Sequence, residues 1–303
     1  MCKSKESLKY QLLYQRRGNV VKNFCVGAVQ MISGEHVTDN LTAAHTLVRR
    51  AQNMGAQFVL LPENFAHLSD QGSYIAAEPF VATGDAHPNT QPIQHALQSW
   101  SRELGIWIAS GAIPLNKRPD GTSVPYPRTR SACLLYDDMG VLQSRYDKLH
   151  LFDVDVADAA GRYRESASIE PGEEARVAKI PWAQLGLSIC FDLRFPELYR
   201  QLAVAGAEVL IVPAAFTHTT GQAHWKTLLQ ARAIENGCFV IAANQGGQHS
   251  EKRRTWGHSV IIDPWGDVLA EAGDGEAVIV ANLSGDKLKK VRQRMPLLNM
   301  RRL

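Results

Sequence analysis

The chain has 303 residues, of which 45% are hydrophobic and 21% are charged, a composition ordinary for a globular protein. This length suits a single large α/β domain with a sizeable core. The net charge of +3 (33 basic against 30 acidic residues) is too small to indicate nucleic-acid binding. No apolar run reaches the ~18 residues that a membrane span requires, so no membrane partner is expected.

Residues 1–22 are basic and lack the apolar core of a secretory signal. We predict that they form a poorly ordered extension and that one domain covers residues 23–303. In the first half, apolar runs predict strands at 24–31, 57–64 and 106–114. Helical spacing of apolar residues predicts helices at 38–55 and 92–105, each ending at a glycine.

The middle of the chain reads as two loops around a hairpin. A proline-rich loop precedes the hairpin 130–148, which turns at Asp138-Met139-Gly140, and a long loop covers 153–171.

In the second half, strands and helices alternate again. Strands are expected at 185–191, 208–216, 238–244, 257–263 and 267–273, and helices at 196–207 and 221–237. The alternation predicts an α/β fold whose sheets are largely covered by helices. The basic tail from Lys287 is either a solvated final helix or a segment that crosses a partner subunit.

The cysteines indicate the redox environment. There are five, an odd number, widely separated and without a CxxC pair. This pattern argues against a disulfide framework and against a thiolate zinc site, and it favours a reducing, cytoplasmic location.

Three predicted strands end on chemically active side chains, namely Glu63, Lys148 and Cys190. Ligands gather at the carboxyl ends of strands in α/β sheets, so these three residues are expected to meet in one pocket. An ammonium stabilises a thiolate and an oxyanion, and a carboxylate can carry the proton from the thiol to a leaving amine. The set suits acyl transfer from a C–N bond through a thioester. The alternative is a buried cysteine, a turn glutamate and a solvated lysine, and spacing alone leaves both readings open.

Three motifs then resemble the carbon–nitrogen hydrolase (nitrilase) superfamily: "LLPENF" with Glu63, "YDKLHLFD" with Lys148 and "SICFDLRFPELYR" with Cys190. The resemblance runs from about Phe24 to Arg302. It implies a four-layer αββα sandwich, a homodimer, and no cofactor or metal. It also implies that Glu63 is the general base and acid, Lys148 the oxyanion stabiliser and Cys190 the nucleophile. A further glutamate, Glu165 in "YRES", is implied to orient Lys148 or the attacking water.

Phe191-Asp192 after the cysteine is similar to the Nit amidase branch of this family. Within it, "FTHTTGQAHWKTLLQARAIEN", "HSEKRRTWGHSVIIDPWG" and the ending "MPLLNMRR" most resemble the Nit1 type. The Nit1 type hydrolyses deaminated glutathione to 2-oxoglutarate and Cys-Gly. The alternatives are ω-amidase activity on α-ketoglutaramate, hydrolysis of an N-carbamoyl amide, and a catalytically idle interaction protein with the same fold.

The expected substrate has an anionic acyl group. Arg194 is expected to pair with its carboxylate, and Thr220 is expected to offer a hydroxyl at a helix start. Phe195 and Phe216 are expected to wall the pocket, and the Phe191 N–H to face the oxyanion. The alternatives are a salt bridge from Arg194 to Asp192 or Glu197 and simple helix capping by Thr220.

Overall fold

The computed structural model describes residues 21–158 and 161–302. Most of the predicted extension, residues 1–20, lies outside this part of the chain, so that prediction stays a prediction. The last two residues assigned to it already contact the domain. Val21 is 4% exposed, and the Lys22 N–H donates to the carbonyl of Trp182 at 3.0 Å.

The described residues form short strands and five α-helices. The strands are β1 (Phe24–Gln30), β2 (Phe58–Leu60), β3 (Trp107–Ala109), β4 (Ile113–Leu115), β5 (Arg130–Tyr136), β6 (Leu142–Asp147), β7 (Asp153–Asp155), β8 (Arg162–Arg164), β9 (Arg176–Lys179), β10 (Gln184–Leu187), β11 (Val209–Ala214), β12 (Phe239–Asn244), β13 (Gly246–Gln248), β14 (Arg254–Trp256), β15 (Val260–Ile262), β16 (Val268–Glu271) and β17 (Ala277–Leu283). The helices are α1 (Val37–Asn53), α2 (Pro92–Leu104), α3 (Pro196–Val204), α4 (His218–Asn236) and α5 (Gly285–Arg294).

Two mixed sheets pack face to face and carry helices on their outer sides. The first sheet has the order β17-β1-β2-β3-β5-β4, with β6 also paired to β5, and the second has the order β16-β15-β12-β11-β10-β9. One apolar cluster joins the two sheets and continues to α3 and α4, and a second joins the first sheet to α1 and α2. The predicted four-layer αββα sandwich is therefore confirmed.

Side chains along β1 face alternately the second sheet and helix α1, so this strand shows how the sequence specifies the layers. Val26 and Ala28 belong to the cluster between the sheets, whereas Val29 belongs to the cluster beneath α1. Gly27 also faces the helix, where an added Cβ would lie 3.1 Å from the Cβ of Ala51. Both faces of this strand are covered, which explains why its sequence is an almost continuous apolar run.

The strand predicted over 106–114 is wrong as a single element, because it divides into β3 and β4. Gly111 lies between them with φ +68°, and an added Cβ would lie 2.1 Å from the carbonyl oxygen of Pro62. Only glycine fits this close approach. The break lets the segment after β2 lie beside the segment after β3, and Glu63 then forms an isolated bridge with Ala112.

Several strands carry too weak a pattern to be found in the sequence. The predictions missed β7, β8, β9, β13 and β14, which have three or four residues each. They also missed β17, although its sequence is an apolar run of strand type. It pairs antiparallel with the whole of β1 from Phe24↔Leu283 to Gln30↔Ala277. The predicted helix at 221–237 begins three residues earlier, at His218.

The basic tail forms the predicted final helix, α5, and one side of this helix packs on its own chain. Leu288 and Val291 are buried. The Arg292 guanidinium donates to the carbonyls of Gly237 and Ala207, both at 2.8 Å. The helix is therefore docked against the end of α4 rather than fully solvated. No helix among the described residues is long and apolar enough to cross a membrane.

Glu170 ties the end of the loop 153–171 to the first sheet. Its carboxylate accepts hydrogen bonds from Arg118 at 2.7 and 2.9 Å and pairs with Arg130 at the start of β5. The Arg118 hydrogen bond, opposed by burial and reinforced by Arg130, lowers the pKa of Glu170 to about 2. The folded pKa lies below the unfolded value, so this contribution to stability is present above the ordinary glutamate pKa and is lost as the pH falls towards 2.

We expect Glu170→Gln to lower the free energy of unfolding by about 2 kcal/mol at pH 7, because a charged hydrogen-bond acceptor is removed from two arginines. The difference from the unmodified protein should shrink at pH 3. Urea unfolding at both pH values measures this. Glu174→Gln is the matched control, since Glu174 is 72% exposed in its pair with Arg176, and it should change stability by less than about 0.5 kcal/mol. An equal loss for Glu170→Gln at both pH values would contradict the prediction.

Candidate active site

Glu63 lies three residues beyond β2, at the carboxyl end of that strand, and is 3% exposed. One carboxylate oxygen, Oε2, accepts the Ala215 N–H at 2.9 Å, and the other, Oε1, accepts from Lys148 Nζ at 2.8 Å. Its main-chain carbonyl accepts from the Gln245 side chain at 3.1 Å. The side chain and the backbone of Glu63 are therefore both fixed.

Lys148 follows β6 directly and is 2% exposed, so its ammonium is among the most buried charges of the described chain. Nζ lies 2.8 Å from Glu63 and 2.8 Å from Oε1 of Glu165. Burial opposes the charge on Lys148, but the charges of Glu165 and Glu63 outweigh it and raise the pKa of the lysine well above its ordinary value. The lysine is a cation at every physiological pH.

Glu165 is brought to Lys148 by the loop 153–171, as expected. Its second carboxylate oxygen accepts the Phe152 N–H at 2.6 Å, which fixes the side chain. Burial raises the pKa of Glu165, Lys148 lowers it and Glu63 raises it again, and the net shift is upward.

Cys190 lies at the turn between β10 and α3. The predicted strand 185–191 is too long, because β10 ends at Leu187, although Ser188 and Ile189 are buried. Cys190 opens a 3-10 turn with φ +47°, a left-handed conformation that is unfavourable for a residue with a Cβ. The thiol is only 8% exposed and lines the same cavity as Glu63 and Lys148.

The thiol of Cys190 is protonated at rest. Burial raises its pKa most, the Glu63 carboxylate raises it further, and Lys148 only partly offsets these effects. The arrangement can therefore pass the thiol proton to Glu63 at the moment of attack, while Lys148 remains beside the developing charge.

Asp192 holds the turn that carries Cys190. It is 0% exposed. Its carboxylate accepts from the hydroxyl of Tyr146 at 2.6 Å, from the N–H of Ile189 at 2.9 Å and from the N–H of His150 at 3.0 Å, and His150 Nδ1 lies 2.7 Å away. Asp192 is therefore buried beneath the turn and does not line the cavity.

Arg194 lines the cavity and has no carboxylate partner among the described residues, so the two salt bridges considered from the sequence are absent. Its guanidinium lies 5.0 Å from the ring centroid of Phe216 and 3.2 Å from His224 Nδ1. Burial lowers its pKa, and Cys190 opposes that shift. A partly buried guanidinium without an anion is suited to bind one.

The other predicted pocket residues divide into two groups. Phe191, Phe216 and Thr220 line the cavity, whereas Phe195 does not and instead stacks on His150 with ring centroids 3.7 Å apart. Thr220 does not cap α4, because Thr217 holds the capping position. The Thr220 hydroxyl lies 2.8 Å from that of Thr217.

Sequence reasoning missed the groups from the second sheet that hold Glu63. Ala215 and Gln245 follow β11 and β12, and Asn244 accepts the Phe216 N–H at 2.9 Å. Ala215 acts through its backbone, which no motif reveals. In the sequence, Asn244 and Gln245 could be recognised only as polar residues at the end of an apolar strand, the same signal that indicated Glu63.

These groups surround a cavity of about 440 Å³, a size common for small-molecule sites. Residues 162–169 of the second loop form part of its wall, as do residues 67–73. Among residues 21–158 and 161–302, no three His, Cys, Asp or Glu side chains are grouped to hold a metal ion.

A sandwich of this kind, with a buried Glu-Lys-Cys cluster between its sheets, defines a carbon–nitrogen hydrolase. The sequence pattern of that family matches residues 25–293, and the chain belongs to the family. The chain is 40% identical over 282 residues to the deaminated glutathione amidase of Yersinia enterocolitica, covering 93% of this chain and 94% of that protein.

Solved structures of nitrilase-superfamily proteins superpose on this chain. The C. elegans NitFhit protein superposes with a TM-score of 0.81 at 32% identity, covering 93% of this chain and 66% of that one. Saccharomyces cerevisiae Nit3, a member of branch 10 of the nitrilase superfamily, superposes with a TM-score of 0.80 at 27% identity, covering 93% and 97%. The resemblance found in the sequence is confirmed.

We expect Glu63→Gln to lower the pKa of the Cys190 thiol, because the substitution removes the negative charge that disfavours the thiolate and leaves Lys148 nearby. Ultraviolet titration of the thiolate, as the difference from the same background carrying Cys190→Ala, measures the midpoint. Asp70→Asn removes a carboxylate from the cavity mouth and should leave the midpoint unchanged. A midpoint in Glu63→Gln equal to or above that of the unmodified protein would refute the expectation.

Proposed function

We propose that this protein is a thiol amidase that hydrolyses deaminated glutathione to 2-oxoglutarate and Cys-Gly. The observation that carries the chemistry is the cluster in which Lys148 Nζ lies 2.8 Å from both Glu63 and Glu165, in the same cavity as Cys190. Nothing in the packing of this region requires those four residue types together. The substrate is supported by the name of the relative from Yersinia enterocolitica.

In the first half of the reaction, Cys190 attacks the amide carbon while Glu63 takes the thiol proton. The S–C bond forms and the carbonyl electrons move to oxygen. Lys148 and the N–H of Phe191 stabilise this oxyanion, and one such donor typically contributes about 3 kcal/mol. The C–N bond then breaks as Glu63 returns the proton to the leaving amine, a step in which general acid catalysis contributes about 10²- to 10⁴-fold.

In the second half, water attacks the thioester. Glu63 accepts a proton of the water, the C–S bond breaks, and Glu63 returns that proton to the sulfur, so that the thiol of Cys190 is restored as the carboxylic acid departs. Glu165 holds Lys148 in place through both halves, because its own carboxylate is fixed by the Phe152 N–H. We assign Glu165 a positioning role.

The acyl part of the substrate carries a carboxylate, for which Arg194 is the proposed partner. Its guanidinium is held over Phe216 and pairs with no acidic side chain of the described chain. Thr220 is proposed to add its hydroxyl and the N-terminal N–H groups of α4, and Phe216 to wall this end.

We also propose a cytoplasmic location and a homodimeric assembly. The four described cysteines are all free, which agrees with a reducing cytoplasm. Ile234 and Trp265 are 46% and 52% exposed beside a shallow apolar depression at the end of α4. A homodimer would bury such side chains.

We expect intact mass spectrometry with deaminated glutathione to detect a 2-oxoglutaryl adduct on the protein, and Cys190→Ala to abolish both the adduct and turnover. Cys25→Ala is the matched control, since that thiol lies in β1 outside the cavity, and it should retain full activity. The kcat/KM for deaminated glutathione should exceed that for α-ketoglutaramate at least about tenfold. Comparable values would overturn the substrate assignment, and no adduct or turnover with any amide would overturn the amidase.

We expect Arg194→Gln to raise KM for glutaramate by at least about tenfold, because a charged hydrogen bond to the acyl carboxylate is lost. The methyl ester of glutaramate lacks that charge and serves as the matched substrate, so its KM should hardly change. Steady-state kinetics with glutaramate and with its methyl ester measures both KM values. Equal increases for the acid and the ester would show that Arg194 shapes the pocket without binding the carboxylate.

A further inference from the structure

The outer end of the cavity carries basic side chains that the proposed reaction leaves unused. Arg162, Lys252 and Arg253 line it, together with one acidic residue, Asp70. Arg164 also lines the cavity, but it pairs with Asp155 at 2.9 Å. The mouth therefore has an excess of positive charge, whereas the inner cluster of two glutamates, a lysine and Arg194 is balanced.

The segment that presents Lys252 and Arg253 is a fixed turn between β13 and β14. The Ser250 hydroxyl accepts the N–H groups of both residues, at 3.3 and 3.2 Å, and the His249 N–H donates to the Arg253 carbonyl at 2.9 Å. The His249 ring is anchored in turn, with Nδ1 2.8 Å from the Ser33 carbonyl and Nε2 2.7 Å from the Thr255 hydroxyl.

The charges at the tip of this turn have no protein counterpart. Across the described ranges, neither the Lys252 ammonium nor the Arg253 guanidinium makes an ion pair or a side-chain hydrogen bond, and Arg253 is half-buried. Arg253 faces into the mouth. Tyr163 lines the same cavity. Burial and Asp158 raise the pKa of Tyr163, and the charge of Arg253 opposes that rise.

We propose that Lys252 and Arg253 form a second anion subsite, which binds the terminal carboxylate of a dipeptide leaving group. This inference rests on the proposed function. Two extended residues span about 7 Å, so a carboxylate at the end of Cys-Gly lies away from Cys190, towards the mouth. Arg194 then holds the acyl carboxylate and the turn holds the leaving-group carboxylate, and only a substrate with both charges fills both subsites.

The test uses the variant K252Q/R253Q and three substrates: deaminated glutathione, its C-terminal glycinamide, and α-ketoglutaramate. For deaminated glutathione, kcat/KM should fall about tenfold through KM, with kcat unchanged, because binding common to ground and transition states is lost. The two substrates without the glycine carboxylate should be unaffected. R254Q is the matched control, since Arg254 is the exposed neighbour in β14 and does not line the cavity.

A second measurement needs no substitution. Inhibition of the unmodified protein by the product Cys-Gly should exceed inhibition by its C-terminal amide about tenfold. If kcat/KM of the variant fell equally for all three substrates, the two basic residues would attract anions in general, and the subsite would be refuted. The second anion subsite would be refuted, and the amidase activity would not, if kcat/KM of the variant did not fall. Equal inhibition by Cys-Gly and by its C-terminal amide would have the same meaning. Failure of the unmodified protein to hydrolyse any of the three would overturn the proposed function and the subsite together.

Discussion

The buried ammonium of Lys148 is the constraint on which the rest of the site depends. A charge that is 2% exposed carries a large desolvation cost, and only close opposite charges with good geometry offset it. Glu63 and Glu165 supply those charges at 2.8 Å each. They come from segments 85 and 17 residues away in the sequence, so the interaction fixes three separate parts of the chain. The same dryness strengthens every electrostatic effect on the thiol of Cys190.

The packing of the two sheets decides where the thiol stands relative to that ammonium. Glu63 and Lys148 follow strands of the first sheet, whereas Cys190 and Ala215 follow strands of the second. The Ala215 N–H to Glu63 and the Gln245 amide to the Glu63 carbonyl cross from one sheet to the other. The apolar cluster between the sheets therefore acts on the chemistry, because any shift in its packing moves Cys190 away from Glu63.

Sequence patterns predict the site far better than its supports. Glu63, Lys148 and Cys190 stand out because each lies at the end of a predicted strand and within a motif of the family, and the structure brings all three together. The division of the third strand at Gly111 was not visible, since it depends on a contact with Pro62, far away in the sequence. β17 was missed although its sequence, AVIVANL, is an apolar run broken only at Asn282, and it pairs along the whole of β1. Phe195, expected on the cavity wall, instead stacks its ring on His150, a contact that the sequence does not reveal.

The contacts that hold Cys190 in its turn also explain why the positive charge of Arg194 is exposed to the cavity. Cys190 is held at φ +47°, a conformation that persists only when its surroundings over-determine it. Asp192 provides this by binding Ile189 within the turn and Tyr146 and His150 beneath it. A carboxylate so fully engaged is not available to Arg194, two residues later. The guanidinium is left facing the cavity without an anion, which supports the proposal that the substrate has an anionic acyl group.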